Sequence, residues 1–78
     1  MAADQEFVYR LHFSSRDRLE AAFALVSAAP EVSSCIVEPD PMHLFFLTSP
    51  AVAEPLIERI YSDGGMHWCT RHTIREFR

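Results

Sequence analysis

What most constrains this chain is its hydrophobic period, which switches from 2 to 3.6 and back twice within 78 residues. In "EFVYRLHF", Phe7, Tyr9, Leu11 and Phe13 alternate with Val8, Arg10 and His12, as in a strand with one buried face. "SSRDRLEAAFALVSAAP" has helical spacing, with Leu19, Ala22, Phe23 and Val26 as its apolar stripe, Ser14 or Ser15 as its cap and Pro30 beyond its end. Two β-rich runs, 32–38 and 42–48, flank "PDP", which cannot continue either ladder and suits a hairpin turn. "SPAVAEPLIERIYSDGG" returns to helical spacing through Ala53, Leu56, Ile57 and Ile60, and Gly64 and Gly65 stop it. Pro55 lies inside this stretch, so the regular helix is expected to start late or to bend. In "MHWCTRHTIREFR", Met66, Trp68, Thr70, His72 and Ile74 alternate with His67, Cys69, Arg71, Thr73 and Arg75.

The order β-α-β-β-α-β predicts an α+β, ferredoxin-like sandwich: a four-stranded antiparallel sheet, order 4-1-3-2, with two helices on one face. A chain of 78 residues has room for a single domain, 1–78, near the size at which one core only just outweighs chain entropy.

Composition narrows the function classes. Seven arginines against eleven acids leave a net charge of -4, so neither nucleic acid nor an anionic membrane is expected as a partner. The chain has no Lys and no Asn, which removes lysine Schiff-base chemistry and the Walker-type phosphate loop. Two cysteines are too few for the disulfide framework of a small secreted domain. "MAADQEF" has neither a basic start nor an apolar run, and no stretch approaches the roughly 20 apolar residues of a membrane span. A cytoplasmic protein is the expectation.

Strand parity sorts the candidate site residues. If Phe7, Tyr9, Leu11 and Phe13 face the helices, Val8, Arg10 and His12 lie on the open face. In the last strand, Trp68 and Ile74 are expected to face the helices, leaving His67, Cys69, Arg71, Thr73 and Arg75 on the open face and His72 turned away. The first and last strands are antiparallel neighbours, which brings His12 near His67 or Cys69. His12, His67 and Cys69 are therefore the candidate ligands for a transition metal, imidazole and thiolate both suiting zinc or copper. The alternative is a solvated polar strand surface. His43 begins the third strand, taken to run parallel to the first, and is expected at the opposite end of the sheet. Arg10 and Arg71, with Arg75, are candidates to bind a carboxylate or phosphate through their planar forks, or else to pair with Glu38, Glu76 or Glu6. Cys35 and Cys69 fall on the two edge strands, about 14 Å apart, too far for a disulfide.

The third strand, "MHLFFLTS", is apolar on both parities. Either Leu44 with Phe46 or Phe45 with Leu47 must lie on the open face, beside Val8 and Val37. Such a patch marks an interface, with Val8, Phe45 and Leu47 as the candidate contact residues and a homo-oligomer or protein partner as the expectation. The chain shows no carboxylate pair and no group to orient a Cys69 nucleophile. The leading reading is a non-enzymatic interaction or regulatory module, with metal-ion or small-anion binding as the alternative.

The run "APEVSSCIVEPDPMHLFFLTS" resembles the corresponding stretch of heavy-metal-associated domains, which bind soft metal through a C-x-x-C loop after the first strand. Here that position reads "HFSSRDRL", and serine cannot replace thiolate, so the resemblance does not imply metal transfer. RNA recognition motifs share the layout and its aromatic third strand, but this chain lacks their basic-Gly-aromatic-Gly signature. Acylphosphatase-like domains use an arginine and an asparagine, and the asparagine is missing. Domains of the ACT type are similar in layout and bind ligands at dimer interfaces, but the first strand-to-helix loop here has no glycine.

Overall fold

A computed structural model describes residues 5–77, so residues 1–4, where the expectation about a signal segment begins, lie outside it. The elements are β1 (Phe7–Phe13), α1 (Arg16–Ser27), β2 (Ser34–Glu38), β3 (His43–Thr48), α2 (Pro50–Asp63), β4 (Met66–His72) and a final 3₁₀ turn (Ile74–Phe77). The strands form one sheet in the order β2-β3-β1-β4 with every neighbouring pair antiparallel, which is 4-1-3-2 counted from the other edge. The architecture is the expected α+β ferredoxin-like layout.

The direction of β3 corrects one expectation. The crossover through α1 leaves β1 and β2 pointing the same way, and the hairpin then reverses the chain. β3, inserted between β1 and β2, must run antiparallel to both. The start of β3 therefore meets the end of β1, and His43 pairs directly with His12 instead of lying at the opposite end.

The core fills the space between one sheet face and the helices. β1 contributes Tyr9, Leu11 and Phe13, β3 contributes Leu44 and Phe46, α1 contributes Leu19, Ala22 and Val26, and α2 contributes Ala53 and Ile60. Fully burying a large apolar side chain stabilises by about 1.5–3 kcal/mol relative to leaving it exposed, so these positions dominate folding. Tyr9 stacks on its cross-strand partner Phe46, with ring centroids 5.4 Å apart. Phe23, at the border of the α1 stripe, stays 37% exposed. The buried Thr48 hydroxyl donates to the Glu31 carbonyl at 3.0 Å, which offsets its desolvation.

Local chemistry sets the helix ends. Ser15 caps α1 by accepting from the Arg18 N–H at 3.3 Å. α2 begins at Pro50, in the first turn, where a missing N–H costs nothing, and it continues through Pro55 to Asp63. The expected late start does not occur. The hydrogen bond Pro55 cannot make would have gone to the Ala51 carbonyl, and both residues lie on the exposed side, where water can serve that carbonyl. Gly64 closes α2 at φ 88°, its N–H donating to the Tyr61 carbonyl at 3.1 Å. Gly65, at φ 87°, lies so close to α1 that an added Cβ would come within 2.5 Å of Arg18 Cγ. Its carbonyl accepts from the Ser14 N–H at 2.8 Å, tying the start of β4 to the β1–α1 junction. Among the described residues, no helix is long and apolar enough to cross a membrane.

Candidate functional site

Cross-strand pairing defines the sheet face that the helices leave uncovered. Three rows cross it from β2 to β4: Ser34, Leu47, Val8 and His72; Ile36, Phe45, Arg10 and Thr70; Glu38, His43, His12 and Trp68. Paired residues point the same way, so each row occupies one face. Val8, Phe45 and Leu47 lie on this face, as parity predicts.

A bulge reverses the parity expected for β4. Phe13 pairs with Met66 but His12 pairs with Trp68, so His67 is an extra residue opposite β1. Met66 faces the helices as expected, yet beyond the bulge every assignment flips. Trp68, Thr70 and His72 face outward, whereas Cys69 and Arg71 lie on the helix side with Leu11 and Tyr9. Cys69 packs against the core and so leaves the grouping with His12 and His67. Arg71 sits with its guanidinium carbon 4.6 Å from the Phe7 ring centroid, on the opposite face from Arg10. Arg75 and Ile74 belong to the 3₁₀ turn beyond the strand, so neither carries on its alternation. The three arginines do not converge, and Arg10 alone occupies the open face within the strands. Val37 also faces the helices, and Ile36 takes its place outside.

The open face has two ends of different chemistry. Val8, Ile36, Phe45 and Leu47 border a shallow depression of about 320 Å³, in which Ile36 is 59% exposed. At the other end the His12 ring lies 5.3 Å from His43 edge-on, 5.1 Å from His67 and 5.3 Å from Trp68, to which it is nearly parallel. The Trp68 indole also meets His43 at 5.4 Å and lies 5.3 Å from the Arg10 guanidinium carbon. One indole thus touches three groups that carry or can acquire positive charge. His43 continues into the apolar end through an edge contact with Phe45 at 5.8 Å.

Electrostatics at His43 disfavour charge. Burial lowers the pKa of His43, the positive charges of Arg10 and His12 lower it further, and Glu38, 3.8 Å from its Nδ1, opposes them. His43 therefore favours its neutral form at neutral pH. His12 Nδ1 and Arg10 Nε are buried without hydrogen-bond partners. His43, His12 and His67 come from successive strands, and among the described residues no three His, Cys, Asp or Glu side chains are grouped to hold a metal ion.

On the covered side, Cys35 and Cys69 sit on opposite edge strands, and both are free. Burial pushes the Cys35 thiol up to about 11 and raises that of Cys69. Neither thiol is activated as a nucleophile. Burial also raises the Tyr9 phenol, whose hydroxyl makes no well-formed hydrogen bond, while the guanidinium of Arg71 opposes that rise.

Comparison with protein families, curated proteins and solved structures finds no significant match to this chain.

Three residues of this face escape the sequence-level reading, for different reasons. His43 was within reach, because the element order alone makes β3 antiparallel to β1. Ile36 follows from alternation once Cys35 and Val37 are placed inside. Trp68 depends on the bulge, which no residue in "GGMHWCTRH" announces.

Proposed function

We propose that this chain is a small non-enzymatic interaction module that self-associates through the open face of its sheet. The observation that carries this reading is the apolar strip formed by Val8, Ile36, Phe45 and Leu47 on a face no helix covers. Charge supports it as well. The strand residues of this face include one arginine, Arg10, and one glutamate, Glu38, which cancel, while the whole chain carries -4. Two copies meeting here bring together strand surfaces whose formal charges cancel. Such contact is isologous, since the same patch serves both copies.

Four strands about 4.8 Å apart and about 20 Å long give a footprint of about 400 Å² per copy, at the small end for a specific interface. A contact of that size fits a weak, reversible dimer, which leaves the face available to other protein partners. Sedimentation velocity from micromolar to millimolar protein tests this. The wild type should dimerise as concentration rises, and Ile36→Glu should remain monomeric with an unchanged far-ultraviolet spectrum. A wild type that is monomeric at the highest concentration overturns the reading.

A second reading, small-anion binding, draws on the unpartnered Arg10 Nε and His12 Nδ1, two buried nitrogens on the same face of β1. Titration with inorganic phosphate should then shift the His12 ring resonances saturably. Resonances that stay in place reject it.

A further inference from the structure

We infer that the histidine cluster makes this self-association pH-dependent, joining the copies at neutral pH and releasing them as the pH falls below about 6. The inference rests on the open-face reading and adds its regulation. The cluster belongs to the same surface: the row from Glu38 through His43 and His12 to Trp68 adjoins the row containing Ile36 and Phe45. A second copy covering the apolar strip therefore also covers, or closely borders, the imidazoles.

The charges facing the cluster decide the sign. β2 presents Glu38, β1 presents Arg10, and β4 presents His67 beside Trp68 with His72 two rows away; the helices lie behind the sheet. Among the described residues, one carboxylate, Glu38, thus faces a guanidinium and the imidazoles of His12, His43 and His67. It can neutralise only one added proton, and Arg10 already lies against an indole rather than an acid. Covering an imidazolium here would remove it from water without a counter-charge, so proton binding and association compete. The lowered affinity of His43 for protons agrees with that competition. For each imidazole that must stay neutral, association weakens by about tenfold per pH unit below the free-copy pKa, and both copies contribute.

General electrostatics predicts the reverse. The chain carries -4 at pH 7 and its isoelectric point is about 5.4, so acidification removes repulsion between copies and should tighten their association. Only a local positive cluster in the contact makes acid weaken it.

The test is sedimentation velocity of the full chain at about pH 7.5 and about pH 5.5 at matched ionic strength, with circular dichroism to verify folding. Trp68, the only tryptophan, reports the state of the cluster by its fluorescence. The wild type should associate at least about tenfold more weakly at the acid pH, with a matching change in Trp68 emission. A variant combining His12→Gln, His43→Gln and His67→Gln should lose that weakening, and His43→Gln alone, the milder change, should reduce it. Association that is equal or tighter at acid pH overturns the inference and leaves the open-face reading intact. A monomer at both pH values overturns the open-face reading itself, so the two failures are distinct.

Discussion

Phe45 and Phe46 are the same residue type in the same strand, yet one lies under the helices and the other does not. Phe46 is 1% exposed and stacks on Tyr9, while Phe45 faces outward between Ile36 and Arg10. The two sheet faces differ in the same way throughout. The covered face presents Tyr9, Leu11, Leu44 and Phe46, closed off by the apolar stripes of α1 and α2. The open face keeps Val8, Phe45 and Leu47 but mixes them with Arg10, Glu38 and four histidines. Two helices can cover only one face of a four-stranded sheet. Among the described residues, no helix packs on the apolar residues of the other face, which is the ground for the association proposed above.

The largest test of this contrast is the phenylalanine pair. Phe46→Ala should cost about 3–5 kcal/mol, because it removes a buried ring and leaves a cavity. A chain of this length has a total stability of about 4–12 kcal/mol, so the loss takes a large share of it and unfolds the variant outright only near the lower bound. Phe45→Ala should cost about 1 kcal/mol or less in the monomer and weaken self-association instead. Urea unfolding of both variants checks this, and equal losses would erase the distinction between the faces.

Thiol chemistry probes the edge of the covered face. With its pKa at about 11, Cys35 is almost wholly protonated at mildly alkaline pH. Alkylation in the folded protein should therefore be about a hundredfold slower than in urea. Iodoacetamide kinetics measure the ratio, and equal rates would show that helix-side cover stops short of β2.

Glycine at position 65 sharpens the comparison at the start of β4. Gly64→Ala meets open space and should lose only the backbone share, about 1–3 kcal/mol for φ 88° and ψ 167°, a region essentially reserved for glycine. Gly65→Ala adds a close approach to Arg18 at a positive φ and should cost about 1 kcal/mol or more beyond that. Thermal melts rank the two. Similar losses would mean that α1 does not press on this connection.

The smallest effect is the monomer's own pH dependence. Because the folded pKa of His43 lies below its unfolded value, the unfolded chain takes up its proton first as the pH falls. Its contribution is therefore complete above the unfolded value of about 6.5 and declines below it until the folded pKa is passed. Urea midpoints should fall with acidification through this window, and His43→Gln should flatten the slope. A midpoint rising with acid would contradict the electrostatics of the open face.

Much of this molecule follows from the chain alone. Period and punctuation are local properties, and they placed the four strands, the two α-helices and the core residues Leu11, Leu19, Val26 and Ile60, but not the 3₁₀ turn at Ile74–Phe77, which they read as more of the last strand. They also left Phe45 and Leu47 opposite Leu44 and Phe46. What lay beyond them was the relation between strands. A single extra residue at His67 moves Trp68 outward and Cys69 inward, because side chains in a strand alternate with period 2 and one insertion reverses all that follow. The bulge arises where β4, held to Ser14 through Gly65, must still pair with β1, a constraint between distant segments that no local window contains. The tertiary structure therefore decided the site, replacing a proposed His12, His67 and Cys69 group with His12, His43 and His67 around Trp68.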